Sequence, residues 1–507
     1  MSELSPVIIL HPNDDVAIAR VPLAAGDSLP GVAINTIDPI PFGHKVALRD
    51  LASGAPVKRY NQIIGFAGQA IKAGEHVHLK NLVMGDFQRD YAFCEDTRPT
   101  PKAPRQDVFK GIVRKDGRVA TRNYIGVLSS VNCSATLVQM IADHYRLQGA
   151  LERYPNVDGV IAFPHPFGCA MDAKGECLQA LQRVLGGYAR HVNFAGVVIA
   201  GLGCETNLIS TLMEAQALNE GKFLHTLNIQ DAGGTGRALA AAIAAIDAML
   251  PEADKVQRMD VPASEIMLAL ECGGSDSYSG ITANPVLGAA SDLIVAQGGT
   301  VILAETPEIY GAEHLLTRRA VSREVGEKLV ARIRWWEEYT ARNQASMNNN
   351  PSAGNKEGGL TTILEKSLGA FAKGGSTNLT AVYEYAEPVR ERGFVFMDTP
   401  GYDPVAVTGQ FAGGANMMCF TTGRGSAIGG KPSPSIKIAS NNVLWNRQQE
   451  DMDFNAGDII EGAATVEELG EKLYRMVLDV ASGKRTKSEA FGYGALEFAP
   501  WLIGVVM

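Results

Sequence analysis

Four cysteines lie just after predicted strands, at the points where those strands end. Cys133, Cys169, Cys204 and Cys272 follow the runs YIGVLSSVN, GVIAFPHPFG, GVVIAGLG and EIMLALE. Because parallel strands end at one edge of an open α/β sheet, where ligands bind, these thiols are candidates for a site. One possible iron site consists of Cys169, Cys204 and Cys272, since thiolate is a soft ligand. His165 is a catalytic candidate or a further ligand there. The alternative is that the cysteines are small buried hydrophobes, because no pair has CxxC spacing.

Histidines concentrate near the amino terminus. Four of the nine in the chain lie there, namely His11, His44, His76 and His78. Imidazoles with a carboxylate such as Asp14 suit Fe²⁺ or Mn²⁺, and we favour His11, His44 and His78 as the ligands. Lys45 is a candidate base if burial lowers its pKa. A single surface histidine commonly binds no metal, so the histidines alone do not decide the site. The cysteine set remains the alternative metal site.

Several glycine-rich turns carry polar side chains suited to a polyhydroxy acid. The candidate substrate-binding residues are Arg122, Asn123, Ser275, Asp276, Asn355, Lys356 and Arg424. Arginine binds a carboxylate in a two-point fork, while Ser, Asn and Asp bind hydroxyls. Each turn by itself is typical of a solvated loop, but together they indicate a small anionic ligand rich in hydroxyls. The turns lack GxGxxG and a correctly spaced acidic residue, which excludes a nicotinamide dehydrogenase.

The elements that must position these residues divide into three domains. Residues 1–95 contain short alternating runs between Gly, Pro and Asp turns, which predict a small β module. Residues 96–108 are proline-rich and predict a linker. Beyond them, apolar runs alternate with helical stretches, which predicts two α/β domains with mostly parallel, Rossmann-like sheets over 109–257 and 258–507.

Composition limits the partners. The chain has 507 residues and a net charge of −9 without a long basic run, so we expect no nucleic-acid partner. No apolar run reaches the roughly 20 residues of a membrane helix, and the amino terminus does not resemble a signal peptide. Seven cysteines are an odd number spread over a long chain, which favours free thiols in the cytoplasm over a disulfide framework. We also expect a homo-oligomer.

Long motifs resemble one known family. RKDGRVATRNYIGVLSSVNCSAT, ECGGSDSYSGITANP, ETPEIYGAEHLLTRRA, NNNPSAGNKEGG, MDTPGYDP and CFTTGRGS are similar to the altronate and galactarate dehydratases, over nearly the whole chain. The segments HPNDDVA and GHKVAL resemble the SAF-type β module that opens these enzymes. MNNNPS and the run ETPEIYGAEHLLTRRAVSREVGEKL resemble the altronate branch more than the galactarate branch.

The resemblance implies a hydro-lyase that removes water from a hexonate-type sugar acid such as D-altronate, giving 2-dehydro-3-deoxy-D-gluconate. It implies Fe²⁺ or Mn²⁺, and such an ion would stabilise the enediolate formed when the proton beside the carboxylate is removed. A galactarate dehydratase or a sulfo-lyase on the same scaffold is the enzymatic alternative. A sugar-acid-binding protein without turnover is the non-enzymatic one.

Overall fold

The alternating runs near the amino terminus form a small all-β domain in a computed structural model, which describes residues 4–504. Its strands are β1 (Val7–Ile8), β2 (Val16–Ala19), β3 (Ser28–Leu29), β4 (Ile34–Asn35), β5 (Lys45–Ala47), β6 (Pro56–Arg59), β7 (Gln62–Ala67), β8 (His76–Val77) and β9 (Leu82–Val83). They pair antiparallel in three sheets, ordered β1-β2-β5-β8, β6-β7-β9 and β3-β4. Short strands joined by tight turns bring β5 beside β8, and this pairing places residues 44–46 next to 76–78.

The segment that follows crosses the surface of the carboxy-terminal domain. The backbone N–H of Asp96 donates to the carbonyl of Arg318, and that of Ala103 donates to the carbonyl of Ala296. The proline-rich stretch is therefore held in place by backbone hydrogen bonds along its length.

The middle domain contains the first parallel sheet. Its elements are β10 (Val108–Val113), β11 (Val119–Ala120), β12 (Tyr124–Ser129), α1 (Ala135–Leu147), β13 (Gly159–Phe163), α2 (Glu176–Ala189), β14 (Phe194–Gly201), α3 (Ile209–Ala215), β15 (Leu224–Asn228), α4 (Thr235–Ala253) and β16 (Arg258–Pro262). The parallel sheet has the order β13-β12-β14-β15. The strands β11, β10 and β16 form a separate antiparallel sheet that the sequence pattern did not predict.

The carboxy-terminal domain contains the larger sheet. Its strands are β17 (Met267–Cys272), β18 (Thr300–Leu303), β19 (Leu379–Tyr383), β20 (Gly393–Met397), β21 (Met417–Thr422), β22 (Ser435–Ala439) and β23 (Phe454–Asn455). Its helices are α5 (Ala283–Ala296), α6 (Glu313–Thr317), α7 (Arg323–Arg342), α8 (Ala353–Glu357), α9 (Ile363–Ala370), α10 (Asp403–Ala412), α11 (Asn442–Arg447), α12 (Val466–Ala481) and α13 (Lys487–Phe491). All neighbours in the order β19-β20-β18-β17-β21-β22-β23 are parallel. The predicted fold class is thereby confirmed.

The domains share buried surfaces. Phe163 of the middle domain and Phe411 and Phe420 of the carboxy-terminal domain belong to one apolar core. The β domain packs on the larger sheet through Ile18, which lies in a cluster with Tyr278. These contacts set the β domain against the carboxyl edge of the seven-stranded sheet. Within residues 4–504, no helix is both long enough and apolar enough to span a bilayer.

Candidate active site

Three histidines of the β domain gather at its contact with the larger sheet. His44 precedes β5, while His76 and His78 lie in and just after β8, which pairs with β5. Nδ1 of His44 lies 3.0 Å from Nε2 of His76, and the ring centroids of His44 and His78 are 4.8 Å apart. One ligand nitrogen from each ring lies within 4.8 Å of the others. We call His44, His76 and His78 the imidazole group.

The imidazole group is held in its neutral form. Burial lowers the pKa of all three rings, to about 4 for His76 and about 3 for His78. After burial, repulsion from a protonated His44 and from Lys80 would lower the pKa of His76 further, and Lys45 lowers that of His78. Neutral imidazole is the form that binds metals. In addition, Nδ1 of His78 is buried and has no hydrogen-bond partner among the described residues. The donor set therefore fits a divalent transition-metal ion with N ligands and open positions.

A buried ion pair fixes the strand that carries this group. Nζ of Lys45 donates to both carboxylate oxygens of Glu365, at 3.0 and 2.9 Å, and to the carbonyl of Gly359 at 2.6 Å. Arg59 donates to the same carboxylate at 2.6 Å. Despite burial, these cations lower the pKa of Glu365 to about 2. Burial lowers the pKa of Lys45, which is the condition for a base. The side chain is also completely buried and bonded to Glu365 and Gly359, so in this structure it fixes the strand as a positioning residue. These contacts do not favour its assignment as the catalytic base, which stays a prediction.

A second polar group lies at the carboxyl edge of the larger sheet. We call it the carboxylate cluster, and its members are Glu271, Cys272, Glu305, Glu308 and Asp403. The Sγ of Cys272 lies 3.4 Å from Glu308, and atoms of Cys272, Glu305 and Glu308 lie within 4.8 Å of one another. Both carboxylate oxygens of Glu271 are buried without a hydrogen-bond partner among the described residues. The cluster is thus a second set of potential metal ligands.

Two lysines partly neutralise the carboxylate cluster. Lys366 lies 2.6 Å from Glu308, and Lys373 lies 3.3 Å from Glu305. Burial, together with the charge of Glu308, raises the pKa of Glu305 to about 8. Glu305 also has a left-handed backbone, with φ of 67°. Such strain in a residue other than glycine is common at functional sites.

A pocket of about 110 Å³ opens between the β domain and the larger sheet. Its lining includes Gly43, Asp276, Glu357, Arg424 and Asn441. The carbonyl of Glu357 lies 3.1 Å from Nε2 of His44, so the pocket adjoins the imidazole group. Arg424 donates to the Glu357 carboxylate at 3.1 Å and is largely exposed. The pocket therefore combines a cation with hydroxyl-binding groups beside a potential metal site.

The structure brings several predicted substrate-binding residues close to this pocket. Asp276 lines it and accepts hydrogen bonds from Ser279, Ser440 and Asn441. Two other predicted substrate-binding residues, Asn355 and Ser275, are bonded to each other and hold the loop at α8 in place. Nδ2 of Asn355 donates to the carbonyl of Ser275 at 2.9 Å, and the Asn355 side chain also caps α8. The hydroxyl of Ser275 is buried without a partner among the described residues.

Lys356 lies on the same loop as Asn355. It is the second residue from the end of α8, between Asn355 and the pocket residue Glu357. It is partly exposed, unlike the buried Lys45 and Lys366. Its assignment as a substrate-binding residue stays a prediction.

Other predicted residues lie elsewhere, and the structure corrects their roles. Arg122 is buried and forms a two-point ion pair with Glu489, at 2.5 and 2.8 Å. The side chain of Asn123 donates to the carbonyls of Asn156 and Ala253, so both residues join elements within the protein rather than bind a ligand.

The two predicted histidines outside the imidazole group make other contacts. His165 is buried in the middle domain, where Nε2 lies 2.8 Å from the Ser129 carbonyl and Nδ1 accepts from the Phe167 N–H. Neither nitrogen is left for proton transfer to a substrate. His11 accepts from the Asn13 N–H and is not part of the imidazole group, whose third member is His76.

The predicted cysteine ligand set does not form one site. Cys272 is buried in the carboxylate cluster. Cys169 and Cys204 are exposed on loops of the middle domain. Cys169 and Cys204 follow strands of the four-stranded sheet, whereas Cys272 follows a strand of the seven-stranded sheet. The expectation that strand ends meet at one edge therefore applies only to cysteines of the same sheet.

Sequence reasoning missed most of the buried charges. Glu365, Lys366 and Lys373 lie within a helical run that carries no motif-like spacing. A usable signal existed for Glu305 and Glu308, because ETPE follows the apolar run GTVILA at a predicted strand end. His76 was visible as a histidine, and its position two residues before His78 could have placed both on one face of a strand.

Comparison with known proteins identifies relatives for each part of the chain. Three family models match: the altronate/galactarate dehydratase SAF domain at residues 5–85, the D-galactarate dehydratase/altronate hydrolase second domain at 111–254, and the D-galactarate/altronate dehydratase C-terminal domain at 263–506. These matches account for nearly all of the chain.

Full-length relatives are enzymes. The chain is 33% identical to altronate dehydratase of Bacillus subtilis, over 95% of this chain and 96% of the relative. It is 36% identical to galactarate dehydratase (L-threo-forming) of Escherichia coli, over 96% and 94%. It is also 30% identical to the beta subunit of (2R)-sulfolactate sulfo-lyase of Chromohalobacter salexigens, over 76% of this chain and 95% of that subunit.

Proposed function

Since the chain belongs to the D-galactarate/altronate dehydratase family and is therefore a hydro-lyase, we propose that it dehydrates D-altronate with a divalent metal ion. The product would be 2-dehydro-3-deoxy-D-gluconate. The observation that carries the proposal is the neutral imidazole group beside a pocket that contains Arg424. The free cysteines suit a reducing compartment, so we place the enzyme in the cytoplasm.

The imidazole group would hold Fe²⁺ or Mn²⁺ through His44, His76 and His78. Bound there, the ion supplies Lewis-acid stabilisation of the charge that develops on the substrate carboxylate. The protein keeps the three rings neutral by burial and fixes their strand through Lys45 and Glu365. These two effects prepare the ligand set before the ion binds.

The pocket would bind the sugar acid by its charge and its hydroxyls. Apart from its one nitrogen bonded to Glu357, the Arg424 side chain has no hydrogen bond to a described residue, so its other N–H groups are available to a carboxylate. Asp276 and Asn441 also line the pocket, where they are hydrogen-bonded to each other and make this wall polar. This arrangement fits a polyhydroxy acid better than an apolar ligand.

Proton removal needs a base that faces the pocket. Glu357 lines the pocket with an exposed carboxylate, whereas the Asp276 carboxylate is buried and occupied by hydrogen bonds. We assign the removal of the proton beside the substrate carboxylate to Glu357. Glu357→Gln should then lower kcat by about 10²- to 10⁴-fold with little change in KM.

Galactarate is the second candidate substrate, because the galactarate dehydratase (L-threo-forming) of Escherichia coli is 36% identical over nearly the full chain. Galactarate carries a carboxylate at each end, while altronate carries one. The same metal-assisted chemistry would serve both acids.

The test is a product assay with pure acids. The enzyme is loaded anaerobically with Fe²⁺ or Mn²⁺ and given D-altronate, galactarate or sulfolactate, and the 2-keto-3-deoxy product or released sulfite is quantified. We expect the dehydrated product from altronate, loss of turnover after chelation and recovery on adding the ion back. Full turnover by metal-free enzyme would contradict the metal-assisted mechanism, and turnover of galactarate alone would reassign the substrate.

A further inference from the structure

Three other cysteines lie at the carboxyl edge of the middle domain's parallel sheet. Cys133 follows β12, Cys169 follows β13 and Cys204 follows β14. These three strands are neighbours in the order β13-β12-β14, and their registers align Leu128 with Phe163 near their ends. The three cysteine-bearing loops therefore leave the sheet side by side, at the edge where open α/β sheets bind ligands.

Buried hydrogen bonds tie the three loops together. The backbone N–H of Asn207 donates to the carbonyl of Gly168 at 2.9 Å, and its side chain donates to the carbonyl of Ser130 at 3.0 Å. The hydroxyl of Ser130 donates to Glu205 at 2.6 Å. Ser130, Glu205 and Asn207 are all buried. The loop that carries each cysteine is thus fixed to the loop of another.

The backbone around Cys169 is unusually constrained. Gly168 has a φ of 102°, and a Cβ there would lie 2.7 Å from the Cα of Val131, so only glycine allows this approach. Ala170 has a left-handed φ of 55° although it is not glycine. Gly203, beside Cys204, has a φ of 122°. Two of the three cysteines therefore stand next to left-handed residues, where strain commonly accompanies function.

These thiols are also exposed, which is unusual for free cysteine. Cys133, Cys169 and Cys204 are exposed, whereas the four others are buried or partly buried: Cys94, Cys177, Cys272 and Cys419. Packing therefore does not account for three exposed thiols along one sheet edge.

We propose that Cys133, Cys169 and Cys204 bind a four-iron, four-sulfide cluster. Thiolates are the usual ligands of iron–sulfur clusters. The three Sγ atoms are not among the groups whose ligand atoms all lie within 4.8 Å of one another. A single tetrahedral zinc ion with Zn–S bonds of about 2.3 Å would need its sulfur ligands roughly 3.8 Å apart. The three loops are nevertheless in direct contact through hydrogen bonds, and a cluster, which is wider than one ion, can join thiols too far apart to share a single ion.

Among the described residues, the titratable side chains closest to the three loops already have partners, and the one side chain bonded to one of these cysteines, Gln230, donates its N–H to Sγ of Cys204 at 3.3 Å. His165 has both ring nitrogens engaged with the backbone. The Glu205 carboxylate accepts from Ser130 and from the N–H groups of Leu202 and Gly203. Three cysteines would therefore hold three of the four irons and leave the fourth for an oxygen ligand from outside the protein. A closed structural zinc site, which needs four protein ligands, does not fit.

Binding can be written as ligand exchange. A synthetic [4Fe–4S] cluster with small thiolate ligands enters, and each cysteine Sγ forms a bond to iron as one small thiolate leaves. The proton of each cysteine thiol passes to the departing thiolate. No electron is transferred, so no oxidant or reductant is needed.

The test uses the full chain and this synthetic cluster under anaerobic conditions. After gel filtration we expect about four irons and four acid-labile sulfides per chain, with broad visible absorption. Cys133→Ser, Cys169→Ser and Cys204→Ser should each lose most of the cluster, because serine is a poor substitute for a thiolate. Cys94→Ser, outside the sheet edge, is the matched control and should load like the unchanged chain.

Three further outcomes would overturn the proposal. The first is wild-type loading in the variant that lacks all three cysteines. The second is iron retained without sulfide, and the third is no retention of iron by the unchanged chain. Loading of His78→Ala should be unaffected, so failure of the cluster proposal is distinguishable from failure of the proposed metal site in the β domain.

Discussion

Replacing Glu365 by glutamine would remove the charge that fixes the imidazole-bearing strand. Its carboxylate is fully buried and accepts from Lys45, Arg59 and Thr361. Glutamine has nearly the same shape but no charge. Two buried cations, Lys45 and Arg59, would then lack their common partner, and a buried charge without compensation is expensive.

The expected effect is local and large. Breaking a buried pair by removing one partner costs about 3–5 kcal/mol. At 1.36 kcal/mol per factor of ten, local opening would become roughly 10²- to 10⁴-fold more frequent. Hydrogen exchange measured by mass spectrometry on peptides covering β5 and α9 reports this opening directly. A local readout is preferable because a chain of several domains does not unfold in two states.

The matched control is Glu471→Gln. Glu471 pairs with Arg475 at 2.8 Å on the surface of α12, with both side chains about half exposed. Such an i,i+4 pair contributes about 0.3–0.5 kcal/mol, so exchange should hardly change. Adding Lys45→Met to Glu365→Gln should recover part of the protection, because one unpaired cation is removed. Equal protection in Glu365→Gln and Glu471→Gln would refute the reasoning.

Three further predictions concern Arg122, the β domain and the titration of Glu365. Arg122→Met should make local opening around the buried Arg122–Glu489 pair about 10²-fold more frequent, because breaking such a pair costs about 3 kcal/mol, and hydrogen exchange on peptides covering α13 measures this opening. KM of the folded enzyme should not change, and a large rise in KM would restore a substrate-binding role. Deleting residues 1–95 should leave a folded remainder without turnover, and normal kcat in that fragment would make the β domain accessory. The pKa of Glu365 is lowered from 4.5 to about 2, so its ionised form stabilises the folded protein above pH 4.5. This stabilisation should be lost as the pH falls towards 2, and Glu365→Gln should not show that loss.

The sequence predicted the architecture well because parallel strands are apolar on both faces. Runs such as EIMLALE are continuous rather than alternating, and each became a strand of a parallel sheet covered by helices. The antiparallel pairing of β10 with β16 was not predictable, since it joins residues about 150 positions apart without a hairpin signal.

The site was predicted only in part. Histidine-rich segments pointed to His44 and His78, because imidazoles near one another suggest a metal. The sequence could not show that Lys45 forms an ion pair with Glu365, 320 residues away, or that Arg122 forms one with Glu489. A charged residue in a motif looks the same whether its partner is a ligand or a buried side chain. Only the fold decides, because it determines which side chains are already paired.

The most direct test of the proposed mechanism is to measure bound Mn²⁺ and turnover together in purified variants. Mn²⁺ is chosen because soft thiolates such as those at the edge of the middle domain's sheet suit it poorly. His78→Ala should lose both the bound ion and the conversion of D-altronate, while His144→Ala, on α1 of the middle domain, should keep both. If His78→Ala instead retains Mn²⁺ and activity, and Cys272→Ser in the carboxylate cluster loses them, the catalytic metal does not lie on the imidazole group.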